Sequence, residues 1–263
     1  MIAGKRILIV VPARGGSKGL PLKNLRKVGG MTLVAWTARV IESLLWVDRA
    51  IVSTDYEEIA GEAESAGLAA PFRRPEAISG DRIGDTDVLI HALQEMERID
   101  ERNYDVVVML PPTCPLRRSS HVTATVEMLV GQQLDAVWTV SPTDLKFHPL
   151  KQLVVTDDGR MAYYDPAGAH IIARQQLSQL YHRNGAAYAI DRACLLEHSS
   201  IMGPRSGAVI IRDILVNIDT TNDLVAAEDH VSASPYHLAL CSGDGRSPRG
   251  TVYNTLSPEN LRS

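Results

Sequence analysis

Short apolar runs alternate with helical patterns along the first 140 residues. Apolar residues recur at helical spacing over 32–45, 57–66, 88–96 and 121–130. Continuous apolar runs, typical of strands buried on both faces, lie at 6–11, 49–53, 105–110 and 136–140. Because alternating strands and helices form parallel βαβ units, the pattern predicts an α/β fold with an open, mostly parallel sheet. Ligands bind such a sheet beyond the carboxyl ends of its strands.

The alternation stops after residue 140 and does not resume until about residue 186. Within this interval, 153–156 and 160–163 flank Asp157-Asp158-Gly159, which predicts a β-hairpin. The interval also carries a cluster of basic residues in an otherwise acidic chain. We therefore interpret residues 142–180 as a small arm, or insertion, attached to the α/β domain.

The C-terminal part contains two more predicted strands and one helix. The strands are expected at 186–190 and 209–218 and the helix at 222–231. With them, we expect residues 1–231 to form one nucleotide-binding domain. From 232 to 263 the composition turns to Ser, Pro, Gly and Arg, which predicts a loose C-terminal tail.

Composition and charge exclude several classes of protein. Twenty-seven Lys and Arg against 31 Asp and Glu give a net charge of −4, so the chain has no basic surplus to attract nucleic acid. No apolar run approaches the roughly 20 residues of a membrane helix. Neither a signal-peptide pattern nor an even set of cysteines is present. We expect a soluble, cytoplasmic protein that binds neither nucleic acid nor membrane.

The strongest chemical signal follows the first predicted strand directly. Residues 13–24, ARGGSKGLPLKN, contain three glycines, whose backbone can approach an anion closely. Arg14, Lys18 and Lys23 add three positive charges within ten positions. The segment is neither a Walker A loop nor a G-x-G-x-x-G loop. Three cations beside a glycine-rich turn predict a polyphosphate-binding loop.

This loop resembles the signature of the CMP-sialic acid synthetases, the acylneuraminate cytidylyltransferases, within the sugar nucleotidyltransferases. Further segments resemble the same family in the same order and together span about residues 5–230. They are IVSTD at 51–55, RPE at 74–76, PTCPLR at 112–117, RQQL at 174–177, RNGAAY at 183–188 and NIDT at 217–220.

The resemblance implies a fold, a reaction and an assembly. The fold would be a Rossmann-like nucleotidyltransferase domain whose arm reaches over a partner subunit in a homodimer. The reaction would transfer CMP from CTP to an anionic acceptor, a nonulosonic or other 2-keto sugar acid, and release pyrophosphate. Mg²⁺ would be the cofactor.

The resemblance also implies the roles of individual residues. The catalytic set would be Arg14, Lys23 and Asp219. The nucleotide-binding set would be Ala13, Arg14, Gly15, Lys18, Lys23, Arg74, Asp85 and Thr113. The acceptor-binding set would be Lys151, Arg174, Asn184 and Tyr188. The metal ligands would be Asp219 and Asn217.

Several of these residues also have purely structural interpretations. Tyr188 lies in an apolar strand and is as well explained as a core residue. Asp219 ends an apolar run, where a carboxylate often begins a turn. Asp55 precedes a predicted helix, and an N-cap is its favoured interpretation.

Three positions depart from the family pattern. Asn217 replaces an aspartate of the metal motif, so it offers an amide oxygen without charge. Pro111 replaces a glutamine that contacts the acceptor sugar, and proline has no side-chain hydrogen bond to give. Asp85 lies where the family has a serine-rich segment, and its carboxylate could accept from the cytosine amino group.

These departures leave two alternatives open. Pro111 allows a smaller acceptor, namely a phosphonate, which Lys151 and Arg174 would bind equally well. Asn217 allows a non-catalytic module that binds the nucleotide without turning it over.

Overall fold

The elements follow one another in the predicted alternation. The computed structural model describes residues 1–234. The strands are β1 (Ile7–Pro12), β2 (Lys27–Val28), β3 (Met31–Thr32), β4 (Arg49–Ser53), β5 (Val106–Met109), β6 (Ala136–Pro142), β7 (Leu153–Val155), β8 (Met161–Tyr163), β9 (Tyr181–Asp191) and β10 (Ser206–Ile210). The α-helices are α1 (Leu33–Glu42), α2 (Glu57–Ser65), α3 (Asp85–Asp100), α4 (Ser119–Gly131), α5 (Arg192–Glu197) and α6 (Thr221–Ala233).

Six of these strands form one open sheet in the order β10-β6-β9-β5-β1-β4. β1 runs parallel to both of its neighbours, and Val10 is in register with Ile51 on β4 and Met109 on β5. β10 runs parallel to β6. Only β9 runs against its neighbours β5 and β6 within this sheet. The predicted open, mostly parallel α/β sheet is confirmed.

The side chains of β1 alternate between the two faces of the sheet, and each face is covered by helices. Ile7, Ile9 and Val11 pack in one core cluster with residues of α1, α2 and α4. Leu8 and Val10 pack in a second cluster with residues of α3 and α5. Because both faces are buried, β1 needs an unbroken apolar run, which is the pattern that the sequence shows.

The predicted strand at 209–218 is wrong over most of its length. β10 ends at Ile210, and residues 211–218 leave the sheet. Ile211 N donates to Val140 O at 2.8 Å and Ile218 N to Thr113 O at 2.8 Å, so the segment crosses the carboxyl edge of the sheet. Its apolar residues cover a third core cluster instead of pairing with a strand.

Two further differences concern β9 and α5. β9 begins at Tyr181, five residues before the predicted start, because its polar first residues pair with the end of β6: Arg183 is in register with Val140. α5 was not predicted, since six residues are too few to show helical periodicity.

The predicted arm contains the predicted hairpin. β7 and β8 pair antiparallel around Gly159, whose φ of +81° favours glycine. All six residues of the two strands are exposed. No helix among residues 1–234 is long and apolar enough to cross a membrane. Helix α6 extends to Ala233, two residues into the predicted tail, and residues 235–263 of that tail lie outside the described residues.

Candidate active site

The glycine-rich loop begins where β1 ends, and its shape is fixed by close contacts. Ala13 N donates to Ser53 O at 3.0 Å, and Gly15 N donates to Asp55 Oδ1 at 2.9 Å. A Cβ on Gly15 would lie 2.8 Å from the ring of Tyr56, so only glycine fits at this position. The loop is therefore held rigidly at the carboxyl edge of the sheet.

The three cations of the loop each contact a carboxylate. Arg14 Nη1 and Lys18 Nζ lie 2.9 and 2.7 Å from the two oxygens of Asp81. The hydrogen bond from Lys18 and the charges of both cations lower the pKa of Asp81. Lys23 Nζ lies 2.8 Å from Asp219 Oδ1. In the free protein, these three cations are thus paired with carboxylates, in the place where the sequence predicts a bound triphosphate.

Arg74 is almost fully buried beside this loop and has unused hydrogen-bond donors. Among residues 1–234, its Nε and Nη2 atoms have no hydrogen-bond partner, and Nη2 lies 3.7 Å from Asp55 Oδ1. Burial lowers the pKa of Arg74. Because an unpaired buried donor is costly, these atoms indicate a place for an acceptor group of a ligand.

Asp55 is not the predicted helix cap. Tyr56 occupies the N-cap position of α2, and its side chain makes no capping hydrogen bond. The carboxylate of Asp55 instead accepts from Gly15 N and faces Arg74. It therefore joins the nucleotide loop to the buried guanidinium.

The predicted metal motif lies on the segment that crosses the carboxyl edge. Thr113 Oγ1 donates to Asn217 Oδ1 at 2.6 Å. Thr220 caps α6 and exchanges hydrogen bonds with Asp223, so Asp219 is not the cap and its carboxylate faces Lys23. Both candidate ligands are exposed and offer hard oxygen atoms. Within residues 1–234, no three His, Cys, Asp or Glu side chains form a metal-binding group.

Arg117 joins the loop at 111–117 to β9 from inside the protein. Its guanidinium is buried and donates to the carbonyl oxygens of Pro111, Gly185 and Ala186, with Gly185 O at 3.0 Å. Burial lowers its pKa. The sequence pattern places Arg117 in a motif but gives it no role; in the structure it holds the loop at Pro111 against β9.

The predicted acceptor residues do not all lie together in one chain. Asn184 lines a cavity beside the metal motif, but its amide is already bonded to Thr139 and Ser141. Tyr188 is buried in the core, where it packs edge-on against Trp138. Burial raises the pKa of Tyr188. Lys151 and Arg174 lie exposed on the arm, and neither lines the cavity.

Asp85 is the first residue of α3 and faces the same side of the site as Arg183 and Tyr188. Burial of the carboxylate raises the pKa of Asp85, while the charge of Arg183 lowers it. The same carboxylate acts on the hydroxyl of Tyr188. The electrostatic contacts of Asp85 are therefore with residues of β9.

Sequence reasoning missed Asp81 as a site residue. Asp81 follows the Arg-Pro-Glu motif, but no local pattern shows that its carboxylate meets two cations more than sixty residues earlier in the chain. Cys114, in the Pro-Thr motif, is fully buried, and burial raises its pKa to about 11. It is an inert thiol.

Comparison with known proteins gives the family. Residues 8–229 match the family model described as cytidylyltransferase, so the chain belongs to the cytidylyltransferase family. It is a CTP-dependent nucleotidyltransferase. The resemblance to the CMP-sialic acid synthetases is confirmed by its relatives.

Three of these relatives show the range of the similarity. Post-translational flagellin modification protein B of Campylobacter coli is 28% identical over 205 residues, covering 78% of this chain and 86% of that protein. Pseudaminic acid cytidylyltransferase of Campylobacter jejuni is 27% identical over 222 residues, covering 84% and 94%. N-acylneuraminate cytidylyltransferase of Streptococcus agalactiae is 30% identical over 228 residues, covering 85% of this chain. The chain spans only 53% of that last relative's length.

Two solved structures share the fold. CMP:2-keto-3-deoxy-manno-octonic acid synthetase complexed with CTP superposes with a TM-score of 0.65 at 17% identity, covering 87% of this chain and 99% of that one. The 4-diphosphocytidyl-2C-methyl-D-erythritol synthase of Anaerococcus prevotii gives a TM-score of 0.59 at 15% identity, covering 87% and 99%.

Proposed function

We propose that this enzyme transfers CMP from CTP to the hydroxyl of a nonulosonic or other 2-keto sugar acid. The observation that carries the proposal is the loop of three cations, Arg14, Lys18 and Lys23, each held by a carboxylate that a triphosphate can replace. The relatives named for sialic and pseudaminic acids support this acceptor class. We propose the cytoplasm as its location, where thiols such as Cys114 and Cys194 stay free.

In the proposed reaction, the acceptor hydroxyl oxygen forms a bond to the α-phosphorus of CTP. The bond from the α-phosphorus to the oxygen that bridges it to the β-phosphorus breaks, and its electron pair leaves with pyrophosphate. The hydroxyl proton passes to solvent. Arg14, Lys18 and Lys23 orient the triphosphate and neutralise the charge that develops on the leaving group. When CTP binds, Lys23 leaves its ion pair with Asp219 and pairs with a phosphate oxygen instead.

Cytidylyltransferases generally use a divalent metal ion, and we propose Mg²⁺ for this one. Asp219 and Asn217 would hold it, because both offer the hard oxygen ligands that Mg²⁺ prefers. Only Asp219 brings a negative charge, so phosphate oxygens and water must complete the coordination. When bound, the ion would neutralise phosphate charge.

We further propose a homodimer in which the arm of one subunit reaches the cleft of the other. The arm exposes apolar side chains that include Val155, Met161 and Ile172, which are 64%, 72% and 93% exposed. An exposed apolar group of this kind is typical of a protein–protein contact. Lys151 and Arg174 lie on the same arm and do not line the cavity of their own chain. We therefore expect them to bind the acceptor in the cleft of the partner subunit.

The first test is pyrophosphate release with CTP and Mg²⁺ over a panel of acceptors. The panel contains N-acetylneuraminate, pseudaminate, 2-keto-3-deoxy-manno-octonate and phosphonoacetate. We expect turnover of at least one sugar acid. Turnover of phosphonoacetate alone would keep the chemistry and overturn the acceptor class. No pyrophosphate with any of them would overturn the proposal.

The second test asks whether the arm works across subunits. Lys23→Ala disables the nucleotide loop and Arg174→Gln disables the arm, so each variant alone should be weak. Co-expressed in equal amounts, they should form mixed dimers with one intact site, which restores roughly a quarter of wild-type activity. A monomeric protein by light scattering, or mixed dimers without restored activity, would contradict the shared site.

A further inference from the structure

A cavity of about 450 Å³ opens beside the metal motif. It lies between the end of β6, the start of β9 and the segment 211–217. Its wall includes Ser141, Arg183, Asn184, Arg212, Asp213 and Asn217. This volume is within the range of sites for small molecules, and a sugar acid fits it. Its position beside Asn217 fits the pocket that the proposed function requires for the acceptor.

Two arginines in this wall lack an acidic partner. Within residues 1–234, neither Arg183 nor Arg212 has a carboxylate oxygen within 4.0 Å, although Asp85 acts on Arg183 from farther away. Arg183 lies over the ring of Trp138, 5.4 Å from its centroid. Trp138 is itself fixed, because its Nε1 donates to Ile201 O at 2.9 Å. The guanidinium of Arg183 is thus held in place before any ligand arrives.

The acid in the wall, Asp213, does not cancel this charge. Its Oδ2 lies 3.3 Å from Arg118 Nη1 and 3.2 Å from Nε2 of the buried His121. The carboxylate is therefore already paired with a cation outside the wall. The guanidinium groups of Arg183 and Arg212 therefore give the cavity wall a net positive charge, which favours binding of an anion.

We propose that Arg183 and Arg212 bind a second anionic group of the acceptor. The preferred acceptor then carries a phosphate, phosphonate or further carboxylate in addition to the carboxylate that Lys151 and Arg174 bind. This inference rests on the proposed function and narrows its substrate class. The second charge lies on the part of the acceptor that enters the cavity, away from the reacting hydroxyl.

A matched pair of acceptors tests the inference: N-acetylneuraminate and its 9-phosphate. We expect kcat/KM for the phosphate ester to exceed that for the parent acid by about tenfold or more, the usual effect of charged hydrogen bonds. Arg183→Gln and Arg212→Gln should each reduce this ratio towards one while leaving the KM for CTP unchanged. Arg6→Gln removes the same charge at the amino edge of the sheet and should leave the ratio unaltered.

Calorimetric binding of the two compounds separates failure of the inference from failure of the proposed function. If the subsite exists, the ester binds more tightly than the parent acid and both Gln variants abolish the difference, whether or not CTP is turned over. Arg183→Lys and Arg212→Lys keep the charge, so they should retain part of the preference. Equal binding of the two compounds, or a preference that survives both Gln substitutions, would overturn the subsite even in an active enzyme.

Discussion

Gly19 lies against the main chain of Asp219, so a methyl group there would push the nucleotide loop away from the metal motif. A Cβ on Gly19 would lie 2.8 Å from Asp219 O, whereas ordinary van der Waals contact begins at 3.4 Å. The Gly19→Ala substitution therefore displaces one segment from the other by about 0.6 Å. Since a misplacement of roughly 1 Å can cost about 100-fold in rate, we expect kcat to fall about tenfold.

The assay is pyrophosphate release at saturating CTP and Mg²⁺, with whichever acceptor the panel identifies. Both residues are exposed, so the segments can separate without opening the core, and the midpoint of thermal unfolding should change little. Gly61→Ala is the matched control, because its methyl group on α2 meets no atom within 4 Å. A Gly19→Ala variant with wild-type kcat would show that the spacing of loop and motif does not govern the reaction.

Three further predictions follow from the site and its surroundings. Lys23→Ala should lower kcat by about 100-fold or more with an unchanged circular dichroism spectrum, because the leaving group loses a cation; near-normal kcat would refute the triphosphate role. Asp81→Asn should lower the KM for CTP by up to about fivefold, since an exposed pair of charges is worth at most roughly 1 kcal/mol; a higher KM would show instead that Asp81 orients Arg14 and Lys18. Burial lowers the pKa of His121 to about 4, so the unfolded chain binds this proton more readily and the free energy of unfolding should fall by about 3 kcal/mol as the pH drops from 6.5 to 4. Urea titrations of wild type and His121→Gln check this last prediction, which fails if both lose the same stability.

The nucleotide loop could be predicted from the sequence because its signal is local. An apolar run buried on both faces, three glycines and three cations are contiguous, and the carboxyl-edge rule for α/β sheets gives their position. The hairpin of the arm was equally accessible, since Asp158-Gly159 provides the turn.

The partners of those cations could not be predicted, because they depend on contacts distant in sequence. Asp81 meets Arg14 and Lys18, and Asp219 meets Lys23 from 196 residues away. Whether Asp219 caps a helix or faces the site depended on its neighbour Thr220, which takes the cap.

The apolar pattern led to a wrong strand prediction at 209–218, because some apolar residues are buried outside the sheet. Leu215, Val216 and Ile218 are apolar because they pack in a core cluster where the chain crosses the sheet edge. An apolar run alone does not distinguish such a segment from a strand. Tyr188, whose interpretation as core or pocket was open, lies in the core between Met109 and Trp138.

The reversed direction of β9 has a consequence for how such an enzyme can change during evolution. β9 runs antiparallel to its neighbours β5 and β6. Its first residues, 181–184, therefore lie at the edge of the sheet where the other strands have their carboxyl ends. They are separated from the nucleotide loop by β5. Arg117 binds the next two residues of β9, Gly185 and Ala186, through backbone carbonyl oxygens, which every amino acid supplies. The residues that we propose to bind the acceptor can therefore mutate in small steps without disturbing the nucleotide loop, and the same division gives protein engineers a compact set of positions at which to test new acceptors.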